Sequence, residues 1–382
     1  MSRRLVILTE IISPYRIPLF NELAKRRDIE PHVIFLAETD PDLRQWQVYK
    51  DEIRFSYQVL PSWRKPIGPY NLVLNRGLGR ALRKAAPDVI LCGGYNYVAS
   101  WQALLWARAH DRRFLLWSES NQQDMRRGHA LIELLKDEFL DRCSGFVVPG
   151  KSAGDYLRSR KINDDQIFIA PNAVDNGLFA AAAAEARRDA VKFRSGLGLP
   201  ERYLLFVGRL VKEKGVFELL SAYASLEESL RGQVGLVFVG DGAARARLQD
   251  LAASISPGVV IFAGFAQREQ LGAYYALAEM LVLPTYSDTW GLVVNEAMAC
   301  GLPVIVSRAA GCTADLVKEN WNGVLVLPRD VAGLTLALEE LIKDPAACAR
   351  MGANGLEHIS HYSSAAWSRG LAGAIFAGSH ND

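Results

Sequence analysis

At 382 residues, 50% of them hydrophobic, the chain has material for two or three packed domains and is too apolar to be disordered. A formal charge of +2 argues against a protein organised around the nucleic-acid backbone. Five widely spaced cysteines, none in a CxxC pair, suggest neither a disulfide framework nor a zinc knuckle, and no run approaches the ~18 apolar residues of a membrane span.

From the N-terminus, MSRRLVILTEIISPY begins like a leader, but Glu10 interrupts the apolar run and no small-residue cleavage pattern follows. It reads as a first strand. LVIL, HVIF, DVIL, FLLW and GFVV then mark strand-length apolar runs in the first half, and YLLFVG, GLVFVG, VVIFAG, MLVLP, PVIVS and GVLVLP in the second. Between them, residues 16–25, 78–85, 100–109, 217–226 and 268–278 carry helical periodicity. Strand and helix alternate, and strands apolar on both faces imply parallel sheets covered by helices. The alternation lapses between residues 171 and 200, where PNAVDNGLF leads into an alanine-rich stretch, so a hinge is expected there.

The expected architecture is α/β, with two doubly wound parallel-sheet domains: residues 1–175, residues 176–360, and a terminal segment 361–382 carrying Trp367 that packs back on the first domain. Ligands of such sheets bind beyond the carboxyl ends of the strands, here in a cleft between the domains. Charge is asymmetric, with 26 basic against 21 acidic residues over positions 1–180 and 18 against 21 over the remainder. The mildly basic first half, with WRK at 63–65 and arginine pairs at 3–4, 112–113 and 126–127, offers contacts to anionic lipid, although scattered solvated charge is the simpler reading. A reducing cytoplasm, or the cytoplasmic face of a membrane, fits the cysteine usage.

The chemistry concentrates in three strand-end loops of the second half. After YLLFV come Gly208, Arg209 and Lys214, and then Gly215 opens a helix; after GLVFV comes Gly240, in GDG. The third loop, SDTWGLVVNEAMACGLPVIVS at 287–307, reads as strand, loop, short helix and strand, with Gly301 closing the helix. Ser287, Asp288 and Thr289 can each cap that helix, which is more capping than one end requires. Cations, glycines and free helix N-terminal amides together suit a diphosphate, and Glu296, one turn into the helix, suits the ribose diol beside it. Two plainer readings are set aside. Asp40 and Asp42 form a DxD but lie in a charged loop of the first half, and His358 with His361 lack a third ligand, so no metal and no cofactor are expected.

VGRLVKEKG, the 287–307 stretch and AAGCTADLVKENWNGVLVLPRD together resemble glycosyltransferase family 4, retaining metal-independent enzymes of the GT-B fold (glycosyl transferases group 1). SPYRIPLFNEL, PDVILCGGY and PNAVD are similar to the same family. The resemblance implies a sugar transferred from a nucleotide donor, a UDP-sugar ahead of a GDP-sugar, to a glycan, lipid-linked or small-molecule acceptor in polysaccharide biosynthesis. It gives Arg209 and Lys214 the diphosphate, Glu296 the ribose, and Asp288 with Trp290, Gly291 and Leu292 the sugar and phosphates. Asp288 stands where the family has a glutamate, and TEIISPYR lacks the glycine pair common there. Gly264 and Phe265 are expected near the base. Glu119, Ser13, Pro14, Tyr15, Arg16, Gly94 and Tyr95 are placed on the acceptor side, Glu119 with a catalytic role. A nucleotide-sugar epimerase and a non-catalytic sensor or scaffold are the competing readings.

Overall fold

The computed structural model describes residues 2–40, 45–67, 70–122 and 130–377. They form two compact units. The first takes the described residues to Asn172 together with the chain from Ser364, and the second takes Ala173–Ser363.

In the first unit the strands are β1 (Arg3–Thr9), β2 (Ile29–Phe35), β3 (Ser56–Val59), β4 (Ser62–Ile67), β5 (Tyr70–Asn75), β6 (Val89–Cys92), β7 (Arg113–Trp117), β8 (Gly145–Val148) and β9 (Ile167–Ile169). Seven of them make one parallel sheet in the order β3-β2-β1-β6-β7-β8-β9. The remaining two, β4 and β5, pair as an antiparallel hairpin that hydrophobic periodicity did not signal. β6 and β8 are buried at every position, as strands covered on both faces must be. The helix Ser364–Phe376 belongs to this unit: Trp367 is wholly buried, its ring 5.8 Å from Phe20 and 5.3 Å from Trp117. Arg113 ties the end of that helix down by donating to the carbonyls of Ile375 and Ala377 at 2.9 and 2.6 Å.

The second unit contains β10 (Tyr203–Val207), β11 (Gly235–Val239), β12 (Val260–Gly264), β13 (Met280–Leu283), β14 (Val304–Ser307) and β15 (Gly323–Val326), all parallel in the order β12-β11-β10-β13-β14-β15. The alanine-rich stretch expected to be a hinge is instead a pair of helices of this unit, Asn176–Arg188 and Ala190–Leu197. Alanine has the highest helix propensity, Asp175 caps the first helix through the amide of Leu178, and Phe179, Ala183 and Ala186 give it a buried face.

Strand order reverses between β1 and β6 in the first sheet and between β10 and β13 in the second. The carboxyl ends of these pairs are the switch points where open α/β sheets take ligands. No helix among the described residues is long and apolar enough to cross a membrane, and all five cysteines are buried thiols.

Candidate active site

In the second unit the loops leaving the strands are joined backbone to backbone. The amide of Gly208 donates to Val239, that of Leu210 to Asp241, and that of Gly240 to Gly264, linking the loops after β10, β11 and β12 at 2.7–3.0 Å. This contact decides the role of GDG: a Cβ on Gly240 would lie 1.9 Å from the carbonyl oxygen of Gly208, and one on Gly242 2.4 Å from that of Leu210. On the other side, the loop after β10 runs onto the loop after β13. A Cβ on Gly215 would fall 2.0 Å from the carbonyl of Pro284, and Thr285 and Tyr286 both donate to the carbonyl of Glu213. The loop after β13 in turn meets that after β14, with Gly311 donating to Asp288 and Cys312 to Trp290, each at 3.0 Å. Five strand ends thus share one continuous ledge of main chain.

The side chains on that ledge are few. Arg209 is exposed, whereas Lys214 is partly buried and pairs with Asp288. The helix that follows is Leu292–Ala299, and its N-cap position falls on Gly291, in the left-handed region, rather than on Ser287, Asp288 or Thr289. Asp288 is held by Lys214 and by a 3.4 Å contact from the amide of Trp290. Trp290 is buried and gives its indole N–H to Asn295 at 2.8 Å, which locks the loop to the helix. Gly264 has a positive φ at the end of β12, and Phe265 beyond it is exposed.

Glu296 lies wholly buried on this helix. One carboxylate oxygen, Oε2, accepts from the hydroxyl of Tyr275 at 2.5 Å, and the other, Oε1, has no hydrogen-bond partner. Burial pushes its pKa up to about 7, and the Tyr275 hydrogen bond opposes that rise. Sequence reasoning missed Tyr275. It lies on the helix Arg268–Leu277, twenty-one residues from Glu296, and its helical position marks only a buried face.

In the first unit, Arg16 donates to Thr9 Oγ1 at 3.0 Å, lies 4.2 Å over the Trp117 ring and reaches Glu119 at 3.4 Å. The structure therefore brings Arg16 and Glu119 together at the carboxyl ends of β1 and β7, with Asn172 at 3.5 Å from the same carboxylate oxygen. Ser13 accepts from the Arg16 amide, Pro14 is buried, and Tyr15 meets Trp46 edge to face at 6.2 Å. Gly94 has a positive φ after β6, while Tyr95 packs against Phe139 and under Lys136. Asp40 is buried and pairs with Arg64 at 2.9 Å; Asp42 lies outside the described residues. His358 hydrogen-bonds to the carbonyl of Asp315. Among the basic residues considered for lipid, Arg4 and Arg112 each reach Asp88 at 3.5 Å, Trp63 and Lys65 are exposed, and Arg126 and Arg127 lie outside the described residues.

Two parallel-sheet units, the second with its strand-end loops joined at a switch point, define a doubly wound α/β class. The comparisons narrow it. Residues 187–358 match the family Glycosyl transferases group 1, and residues 19–177 match Glycosyltransferase Family 4. The chain belongs to this glycosyltransferase family and has its GT-B fold. A D-inositol 3-phosphate glycosyltransferase of Nocardiopsis dassonvillei is 36% identical over 215 residues, 54% of this chain and 48% of that one. The chain spans about half the length of the curated relatives it matches. Among solved structures, Anabaena Alr3699/HepE in complex with UDP is similar with a TM-score of 0.75 at 18% identity, covering 98% of this chain and 99% of that one. A glycosyltransferase from Rickettsia africae ESF-5 gives 0.77 at 15%, covering 100% of both.

Proposed function

We propose that the protein is a retaining glycosyltransferase, of hexosyltransferase type, that takes a sugar from a nucleoside diphosphate and places it on a glycan, lipid-linked or small-molecule acceptor in polysaccharide biosynthesis. One observation carries the reading: a helix N-terminus whose cap residue is glycine follows the Lys214–Asp288 pair, and one turn into that helix lies a buried carboxylate with an unpartnered oxygen. A diphosphate suits the amides and cations, and the ribose diol suits Glu296. UDP stands ahead of GDP because the Anabaena neighbour is described with UDP.

In this mechanism the bond between the anomeric carbon and the diphosphate oxygen breaks while the acceptor hydroxyl oxygen bonds to the same face of that carbon. The acceptor proton passes to the departing diphosphate. No protein nucleophile takes part. Arg209 and Lys214 stabilise the charge that grows on the leaving group, a preorganised electrostatic contribution. Asp288 orients Lys214 and the sugar hydroxyls. Arg16 and Glu119 contact the acceptor. The two cations supply the charge neutralisation, so the reaction needs no metal, and chelation by EDTA is expected to leave turnover unchanged.

The test is a panel of uridine, guanosine and adenosine diphosphates read by thermal unfolding, followed by turnover with the matching sugar nucleotides. A ligand at 100 times its Kd stabilises by ~2.7 kcal/mol. Binding of UDP with release from UDP-sugar, and a product of unchanged anomeric configuration by NMR, is the expected result. An inverted product removes the retaining mechanism, and a sugar that is epimerised but never released removes the transferase.

A further inference from the structure

Glu296 and Tyr275 meet from two different helices, both at zero exposure, and the Phe179 ring packs edge-on to the tyrosine at 6.2 Å. A phenol buried merely for packing gains nothing from its hydroxyl, which must be desolvated and satisfied, and a phenylalanine fills the same volume. A carboxylate with two equivalent oxygens can also turn about its terminal torsion, which is broad for glutamate. The 2.5 Å bond to Oε2 removes that freedom and leaves Oε1 as the acceptor without a partner.

We propose that Tyr275 is a positioning residue of the donor site: its hydroxyl fixes one oxygen of Glu296 so that the other faces the vicinal hydroxyls of the nucleotide's ribose. The inference rests on the donor reading above. It also makes nucleotide binding proton-linked, because burial raises the Glu296 carboxyl to about 7 and the phenol donates to its ionised form. The other groups around it do not compete for that role. Arg187, on the helix Asn176–Arg188, is turned to the carbonyls of Ala276 and Cys300. Cys300 has its thiol pushed up to about 12 and stays protonated. The helix Pro345–Ile359 presents Gly355 to Met298, with His358 bonded to Asp315 and Cys348 to Leu341. β13 and β14 bring no titratable side chain.

The experiment measures the Kd of UDP across about pH 6 to 9 for the full chain, Tyr275→Phe, Glu296→Gln, and a chain with 3-fluorotyrosine at position 275, whose more acidic phenol is the stronger donor. Wild-type affinity is expected to weaken as pH falls through about 7. Tyr275→Phe should move that midpoint up by about one pH unit, weakening binding roughly fivefold at neutral pH, with affinity recovering at the alkaline end. The fluorotyrosine should move it down, and Glu296→Gln should flatten the profile. A Tyr275→Phe profile with the wild-type midpoint overturns the proposal, and so does a uniform loss at every pH, which signals packing alone. Where Tyr275→Phe does not fold, an unshifted fluorotyrosine midpoint overturns it. A Glu296→Gln chain that binds UDP as the wild type does, at every pH, overturns the donor reading itself; a flat but weakened Glu296→Gln profile beside an unshifted Tyr275→Phe overturns only the role of Tyr275.

Discussion

The carboxyl ends of the two sheets differ in how closely their main chains approach. In the second unit five loops are joined main chain to main chain, through contacts so close that Gly215, Gly240 and Gly242 admit no side chain. In the first unit main-chain bonds also join neighbouring strand ends, Leu36 to Thr9, Ala37 to Glu10 and Gly93 to Leu8, but side chains cross between them: Arg16 reaches Thr9, Trp117 and Glu119, and Asp40 holds Arg64. A ledge of amides and carbonyls keeps its shape whatever its surface residues are, which suits a ligand part that never changes, such as a nucleoside diphosphate. Side chains that cross a crest, as Arg16 does, change its shape with each substitution, which would suit recognition of a particular acceptor. The difference teaches where to look for donor chemistry and where for specificity.

The comparison can be broken by substitution. The largest effect is expected in the first unit: Trp367→Ala should cost about 3–5 kcal/mol, read as a lower urea midpoint, because it empties the wholly buried space between Phe20 and Trp117. A change under ~1 kcal/mol would mean that the helix Ser364–Phe376 does not hold that unit together. Next, Arg209→Ala should slow turnover at saturating donor by about ten- to a hundredfold, since a hydrogen bond to a charged group contributes roughly 1.5–3 kcal/mol. Near-normal turnover would remove Arg209 from the leaving-group site. Smaller again, Glu119→Gln should raise KM for the acceptor about threefold to tenfold with the donor Kd unmoved, the split that a side-chain-built acceptor crest requires. A change in donor Kd alone would erase the division of labour between the two units.

The subtlest test uses pH. A carboxyl whose folded pKa is raised weakens folding as pH climbs from its ordinary value toward the folded one, because the unfolded chain ionises first. For Glu296 that window runs from 4.5 to about 7 in the ligand-free protein. Glu296→Gln should therefore lose part of the wild-type decline in stability over this window and differ little in slope above it. On the proposed donor reading, UDP binding is expected to run the other way, strengthening as the carboxyl ionises. Identical stability slopes for the two chains would show that Glu296 titrates normally.

Much of this was written locally. Alternating apolar runs and helical periodicity set the parallel α/β fold, because strands covered on both faces have nowhere to place a polar residue. Gly301 ends its helix as the sequence implies, with a positive φ. The loop residues Arg209, Lys214 and Asp288 stand out because cations and polar residues cluster at strand ends and glycine-marked helix starts. At residues 287–291 the cap position falls on Gly291 and not on Ser287, Asp288 or Thr289, because capping side chains in a row do not say where the backbone turns into the helix. The hairpin β4–β5 was missed because β4, SWRKPI, shows no sustained alternation of apolar and polar residues.

By itself, then, the sequence determined which segments form strands and helices and which strand ends carry charge, for these depend on side-chain chemistry within a few neighbours. Only the tertiary structure decided that Tyr275 meets Glu296, that Lys214 meets Asp288, and that Gly240 is a glycine for the sake of Gly208. Each of these is a contact between residues far apart in the chain, and distance in space is fixed by how the layers pack.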